Sequence, residues 1–367
     1  MSNKTLAALI FIVVALLLPG CRGGRAEAPS AGGNIVAEAK LLRMMPDADG
    51  TLVEIVNPWD TTRLLGRYYL CENPRGAVPD EATVVKVPLE KSAVYSSVHL
   101  GAIEELDALA AVAGVADAAY IRSPRICRLI DRGAIADLGS SMAPALEKIV
   151  AMQPDAMLLS PFENTGHGAL DNAGLCIIEM ADYMEPTPLG RAEWIRFIGR
   201  LYGRAAQADS VFAQVKARYD SLAASQVAQA RPRVLTEQVT DGYWFVPGGN
   251  SYMARLIADA GGDYPWADNG SAGSLQLDFS AVLAKAGDAD YWIIKTYGSD
   301  LTLDALRRQY PLNARFKAFG SGGVFACNTA ESPLFEEFPF HPERLLADYA
   351  AIFRGETTGL RYFKQVR

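Results

Sequence analysis

Histidine is scarce in this chain: there are three in 367 residues, His99, His167 and His341, far apart in sequence. A dedicated zinc or manganese site draws several histidines and carboxylates to set positions, so no resident metal or cofactor is expected. Basic runs with interleaved aromatics are missing and the net charge is −7, which argues against non-specific nucleic-acid binding. Several common enzyme signatures are missing as well. There is no HExxH, no GxSxG elbow, no phosphate-cradling GxxxxGK[ST] and no GxGxxG after a strand. Acidic pairs exist, but nothing in the sequence gathers two into one pocket, so an envelope enzyme is the weaker expectation. No CxxC occurs, and no segment after the first apolar run is long and apolar enough to cross a membrane.

What is present begins with an export signal. Lys4 supplies a positive start, and Leu6–Leu18 is nearly all apolar but too short to span a bilayer comfortably. The run ends Leu18-Pro19-Gly20-Cys21, which resembles a bacterial lipobox, although Pro19 replaces the small or hydroxylated residue usual there. The resemblance implies cleavage before Cys21 and lipidation of its thiol; the alternative is an ordinary signal peptide with an incidental cysteine. Residues 1–20 are read as the lipoprotein signal and 21–35, rich in Gly, Ala, Ser and Pro, as a flexible tether. Cys71, Cys127, Cys176 and Cys327 remain. The compartment permits disulfides, but spacing alone does not pair these cysteines.

Half of the residues are hydrophobic, which at this length suits two core-bearing domains. The longest periodic stretch runs from Pro188 to Leu222. Its apolar residues, from Trp194 through Ile198, Leu201, Ala205, Ala208, Phe212, Val215 and Tyr219 to Leu222, alternate steps of four and three. That pattern predicts one long helix with a buried stripe, opened by Pro188. A dimeric coiled coil is the competing expectation, weakened by the small Ala205 and Ala208. The helix, with the residues up to 229, is expected to join two lobes.

Residues 36–83 have strand character and predict a small β subdomain. From 84 to 187 strands alternate with helices: TVVKVP and SAVYSS as strands, HLGAIEELDALAAVAG as a helix closing at Gly114, then helix, turn and strand in PALEKIVAMQPDAMLLS, and a strand in AGLCIIEMA. The scheme restarts over 230–354, and 355–367 is left as a tail. The expected fold is α/β: two lobes with mainly parallel sheets, joined by one long rigid helix, with a ligand cleft between them.

At this point the chain resembles the substrate-binding proteins of ABC importers for iron–siderophore, haem and cobalamin-type ligands. The resemblance covers roughly 84–354, and the N-terminal β region looks like a variant of Bacteroidetes-type members. It is carried by SSVHLGAIEEL, LEKIVAMQPDAMLL, EPTPLGRAEWIRFIGRLYG, VPGGNSYMARLIADAGGDYPW, LDFSAVLAKAGDADYWI and HPERLLADYAAIF. It implies a lipid-anchored solute-binding protein of the cell envelope. Such a protein would capture a metal chelate, a ferric siderophore, corrinoid or haem, and deliver it to an ABC permease in the inner membrane. A surface lipoprotein scavenging haem or another ligand for an outer-membrane receptor is the alternative. It also implies one acidic permease-docking residue per lobe. The first matches Glu147. The second falls at Ser280, with Asp278 two residues earlier as a substitute.

Loops after strands are the expected pocket walls. On the first lobe these give Ser96, Ser97 and His99, then Ser160, Phe162, Glu163 and Asn164, then Tyr183. His99 meets a ligand or an acidic group, or serves as a cap or packing residue. Arg191, one turn into the helix, pairs either with an anionic ligand or with Glu185 or Glu193. On the second lobe Trp244, Tyr252, Trp266 and Tyr297 offer flat faces for a large chelate, against the alternative of core packing.

Overall fold

The computed structural model describes residues 33–367 apart from 75, 227–230 and 299. The signal segment and Cys21 lie outside the described residues. Among the described residues no helix is long and apolar enough to cross a membrane, and Cys71, Cys127, Cys176 and Cys327 are all free thiols.

Four strands, β1 (Leu42–Pro46), β2 (Thr51–Val56), β3 (Leu64–Cys71) and β4 (Thr83–Lys86), form the N-terminal sheet in that order. The first turn follows from Asp47, whose carboxylate accepts the amides of Asp49 and Gly50. Gly50 is required there, because a Cβ would lie 2.5 Å from the Leu70 carbonyl oxygen. Strand β1 was not among the expected elements. β4 pairs parallel to β3, so this sheet runs past the boundary expected at 83.

The first lobe contains β5 (Ser92–Val94), α1 (Ser97–Glu105), β6 (Val112–Val115), α2 (Pro124–Asp131), β7 (Ala136–Asp137), the small ribbon β8 (Gly139–Ser140) and β9 (Ala143–Pro144), α3 (Leu146–Met152), β10 (Ala156–Leu159) and β11 (Ile177–Glu179). Its sheet has the order β11-β10-β5-β6-β7 and is parallel throughout. The helix expected to reach Gly114 stops at Glu105. Asp107 adopts φ 51° just beyond it, and the following Ala-Val run is strand β6. Gly114 sits inside that strand because a Cβ would meet Met152 at 2.6 Å and Leu138 at 2.9 Å.

The expected single helix over 188–222 is three segments: α4 (Pro188–Glu193), α5 (Ile195–Leu201) and α6 (Ala205–Ala224). The break lies at Tyr202–Arg204. Gly203 has φ 66° and the Arg204 amide donates back to the Gly199 carbonyl at 2.6 Å, a glycine-terminated helix end. The same apolar stripe is thereby folded onto itself, and a Cβ at Gly199 would lie 2.4 Å from that of Ala208. The joining helix is α6 alone, about 30 Å long at 1.5 Å per residue. Its Ala208, Phe212 and Val215 enter the first core and its Tyr219 the second.

The second lobe is built from β12 (Val234–Thr236), β13 (Val239–Thr240), β14 (Tyr243–Pro247), α7 (Tyr252–Asp259), β15 (Ser274–Leu277), α8 (Phe279–Ala286), β16 (Tyr291–Thr296), α9 (Leu303–Gln309), α10 (Lys317–Ser321), β17 (Val324–Asn328), α11 (Leu334–Glu337), α12 (Pro342–Phe353) and β18 (Lys364–Gln365). Strands β12, β16 and β17 are parallel, β18 adds antiparallel to β17, and β13-β14-β15 is a separate antiparallel sheet. The expected tail is thus an edge strand. It is held by Asp348, which accepts the amides of Arg361 and Tyr362, and by burial of Tyr362, Phe363 and Val366.

Candidate functional site

The carboxyl ends of β5, β10 and β11 open on a cavity of ≈ 250 Å³. Ser96, Val98 and His99 line it from the first loop and helix, Ser160 and Phe162 from the second loop, and Asp182, Tyr183 and Arg191 from the third. Ser96 caps α1 by accepting the Val98 amide at 3.3 Å. Ser97 opens that helix outside the cavity lining. Phe162 is 58% exposed at the rim, while Glu163 and Asn164 are exposed beyond it. Tyr183 donates its hydroxyl to the Pro161 carbonyl and so fixes the loop that carries Phe162. Burial pushes its phenol up to about 12, so it remains a donor at neutral pH.

Three of these wall residues form a buried charge cluster. His99 Nε2 is 2.8 Å from Asp182 Oδ1, and Arg191 Nε donates to Asp182 Oδ2 at 3.0 Å. All three residues are buried. Burial alone would raise the Asp182 carboxyl; His99 and Arg191 outweigh it and hold the group below the usual carboxylate range. His99 therefore meets an acidic group of the protein itself, and the cap of α1 is Ser96. The partner of Arg191 is also corrected. Glu193 is occupied by the amides of Ala37, Glu38 and Ala39 together with Arg196. Glu185 takes the amides of Lys40 and Leu41 and the Trp194 indole. Both carboxylates thus pin the N-terminal segment to α4, leaving Asp182 for the guanidinium.

Arg191 also reaches the second lobe. Its guanidinium carbon lies 4.7 Å from the Tyr252 ring centroid and 5.5 Å from that of Phe338. Tyr252, at the start of α7, is thereby brought to the first-lobe group. Tyr297 is 58% exposed; its ring is 5.5 Å from Tyr120, and its hydroxyl accepts from Arg122 at 2.9 Å. That contact also crosses between lobes. Further ties run along α11: Glu336 accepts the Arg122 amide at 2.6 Å, and a Cβ on Gly101 would lie 2.0 Å from the Glu336 carbonyl oxygen.

Two expected wall residues are core. Trp244 is fully buried, donates its indole N–H to the Thr236 carbonyl, and packs on Trp292, Phe279 and Phe316. Trp266 is buried against Tyr264. On β14 the side chains alternate, so the exposed aromatics are Tyr243 and Phe245 instead. Glu147 is exposed in the first turn of α3. Asp278 is exposed at the N-cap of α8 and makes no capping bond; Ser280 is exposed two residues on. Sequence reasoning missed Asp182, Phe338, Tyr120 and Arg122. Asp182 had a signal: a carboxylate directly after a strand, nine residues before Arg191.

Comparison with known proteins fits this geometry. A 298-residue alignment to an uncharacterized lipoprotein of Methanocaldococcus jannaschii has 26% identity and covers 74% of this chain and 71% of that one. A second uncharacterized lipoprotein of the same organism is 25% identical over 92% of this chain and 88% of its own length. Among solved structures, a periplasmic haem-binding protein from Pseudomonas aeruginosa superposes with TM-score 0.60 at 18% identity, covering 76% of this chain and 98% of that one. The structure of an ABC-type Fe3+-hydroxamate transport system from Saccharomonospora viridis gives 0.56 at 19%, covering 72% of this chain and 93% of that one. These two likenesses concern the fold. The periplasmic binding protein family model matches residues 96–330, more than half of the chain. On that match the chain belongs to the periplasmic binding protein family, the substrate-binding proteins of ABC importers rather than a family of enzymes.

Proposed function

We infer that this chain is the lipid-anchored solute-binding component of an ABC importer, and that it captures a metal chelate between its lobes. The observation that carries this is Arg191. It is fixed to Asp182 beneath the first-lobe cavity, and its guanidinium lies against Tyr252 of the second lobe. A cavity walled by Phe162 and Tyr183 suits a flat, partly apolar ligand with a few polar groups. Its ≈ 250 Å³ is below the usual range for enclosed ligand sites, so a bulky chelate lies across the mouth with only part of its surface inside. Solved structures of the same fold include haem-binding and Fe3+-hydroxamate proteins, which supports the chelate class. A ferric siderophore or corrinoid ranks first and haem next.

Anchoring is supported by Cys21 after the apolar run and by the two relatives named as lipoproteins. A single acylated cysteine gives limited membrane affinity, so protein contacts with the permease add to it. Glu147 and Asp278 are the docking carboxylates of this proposal; exposed charges of that kind steer and orient a partner more than they add affinity. Native mass spectrometry of the soluble form from Asn34 onward, incubated with haem, cobalamin and a panel of ferric siderophores, tests the proposal. One ligand retained at 1:1 identifies the cargo. Retention of none across the panel overturns the chelate assignment.

A further inference from the structure

The second lobe holds an ion pair that the site above does not use. Glu237 follows β12 and Lys295 lies near the end of β16, so both sit at carboxyl ends of parallel strands, where open α/β sheets present ligand groups. The two side chains form a salt bridge, and they are 23% and 22% exposed for Lys295 and Glu237 respectively. They are partly withdrawn from water but reachable. Asp182 and Arg191, by contrast, are almost fully buried.

Glu237 has φ 65°, a left-handed conformation that side chains other than glycine seldom adopt. Its backbone is held by an amide bond to the Ile293 carbonyl at 2.9 Å and by the Trp292 indole, which donates to its carbonyl at 2.7 Å. Residues fixed in such conformations concentrate at ligand clamps. The neighbouring Gln238 amide oxygen is buried with no hydrogen-bond partner.

We propose that Lys295 anchors a carboxylate of the captured solute and that Glu237 occupies its place in the empty site. The solute is then a chelate with free carboxylates rather than a neutral one. This rests on the solute-binding function proposed above and narrows its ligand class. A ligand carboxylate must displace Glu237 from Lys295 and is also repelled by it. The two residues therefore act with opposite signs, which a merely structural ion pair would not do.

The test uses the soluble form from Asn34. Citrate, a free tricarboxylate, is titrated with tryptophan emission as the readout, because Trp292 is bonded to Glu237. Haem, which carries two carboxylates, and cobalamin, which carries none free, are compared by native mass spectrometry. Glu237→Gln is expected to tighten citrate and haem binding about tenfold, and Lys295→Gln to weaken it about tenfold, the scale of one charge-assisted hydrogen bond. Lys295→Arg retains binding, and cobalamin is indifferent to all three. Urea midpoints establish that each variant is folded. Silence toward citrate in the wild type, shifts of the same sign in both variants, or a parallel change with cobalamin overturns the proposal. If a chelate is retained and neither variant alters it, the carboxylate anchor is wrong while the solute-binding function stands. If no chelate is retained but citrate follows both signs, the anchor stands and the chelate assignment falls.

Discussion

Replacing Asp182 with Asn removes one negative charge from a group withdrawn from solvent. The carboxylate is 1% exposed, with His99 Nε2 at 2.8 Å and Arg191 Nε at 3.0 Å. The guanidinium is itself only 5% exposed, so the variant strands a cation that remains protonated at any ordinary pH. Breaking a buried pair by removing one partner destabilises by about 3–5 kcal/mol. At about 2–4 °C per kcal/mol, that lowers the melting temperature by roughly 6–12 °C at the lower bound. The pH dependence gives an independent handle. The native Asp182 carboxyl is held below its unfolded value, so its contribution is present in full above the unfolded value of about 3.9 and is lost as pH falls through the lower native value. Urea unfolding of wild type and Asp182→Asn should show a large gap at pH 7 that narrows at strongly acidic pH. Equal midpoints at pH 7, or a gap constant down through the acid limb, would refute the buried pairing. Haem or siderophore retention should fall with Asp182→Asn as Arg191 loses its fixed position.

Two further outcomes follow from buried carboxylates and one histidine. Glu193→Ala leaves the amides of Ala37, Glu38 and Ala39 without their acceptor, a loss of about 3 kcal/mol or more, with faster hydrogen exchange confined at first to residues 34–41; unchanged exchange there would contradict the role assigned to Glu193. His341 has Glu105 of α1 on Nε2 and Glu343 of α12 on Nδ1; burial pulls its pKa down, but the two carboxylates lift it to about 8. A raised native value means that its contribution is complete below about 6.5 and is lost as pH rises through about 8. Wild type should lose more stability across that window than His341→Gln, and identical slopes would rule the tie out.

Much of the fold was legible because burial leaves periodic traces. The helix, turn and strand of PALEKIVAMQPDAMLLS lie where their pattern puts them, as helix Leu146–Met152 and strand Ala156–Leu159. The long helix was misread for a physical reason. Its apolar stripe continues across Tyr202–Arg204 because both halves of the bend bury the same face, and only Gly203 marked the stop. Strand β6 was hidden because Ala and Val serve either structure, and the choice was made by packing of Gly114 on Leu138 and Met152. Among candidate wall residues, position after a strand was informative: Ser96, His99, Phe162, Tyr183 and Arg191 converge on one cavity. Aromatic identity was not, since Trp244 and Trp266 are core. Strand alternation puts Tyr243 and Phe245 outside, but the inward side of β14 is decided by a sheet that the sequence does not display. Asp182 was overlooked because a buried carboxylate is defined by distant partners, His99 above all.

The central claim is that a ligand sits between the lobes and touches both. Hydrogen–deuterium exchange, with whichever of haem, cobalamin or ferric siderophore is retained, tests it directly. The expected result is slowed exchange in the first-lobe loops at Ser96–His99 and Ser160–Phe162, together with the second-lobe segments at Glu237–Gln238 and Tyr252. Protection confined to one lobe, or lying only on the outer faces around Glu147 and Asp278, would contradict capture in the cleft.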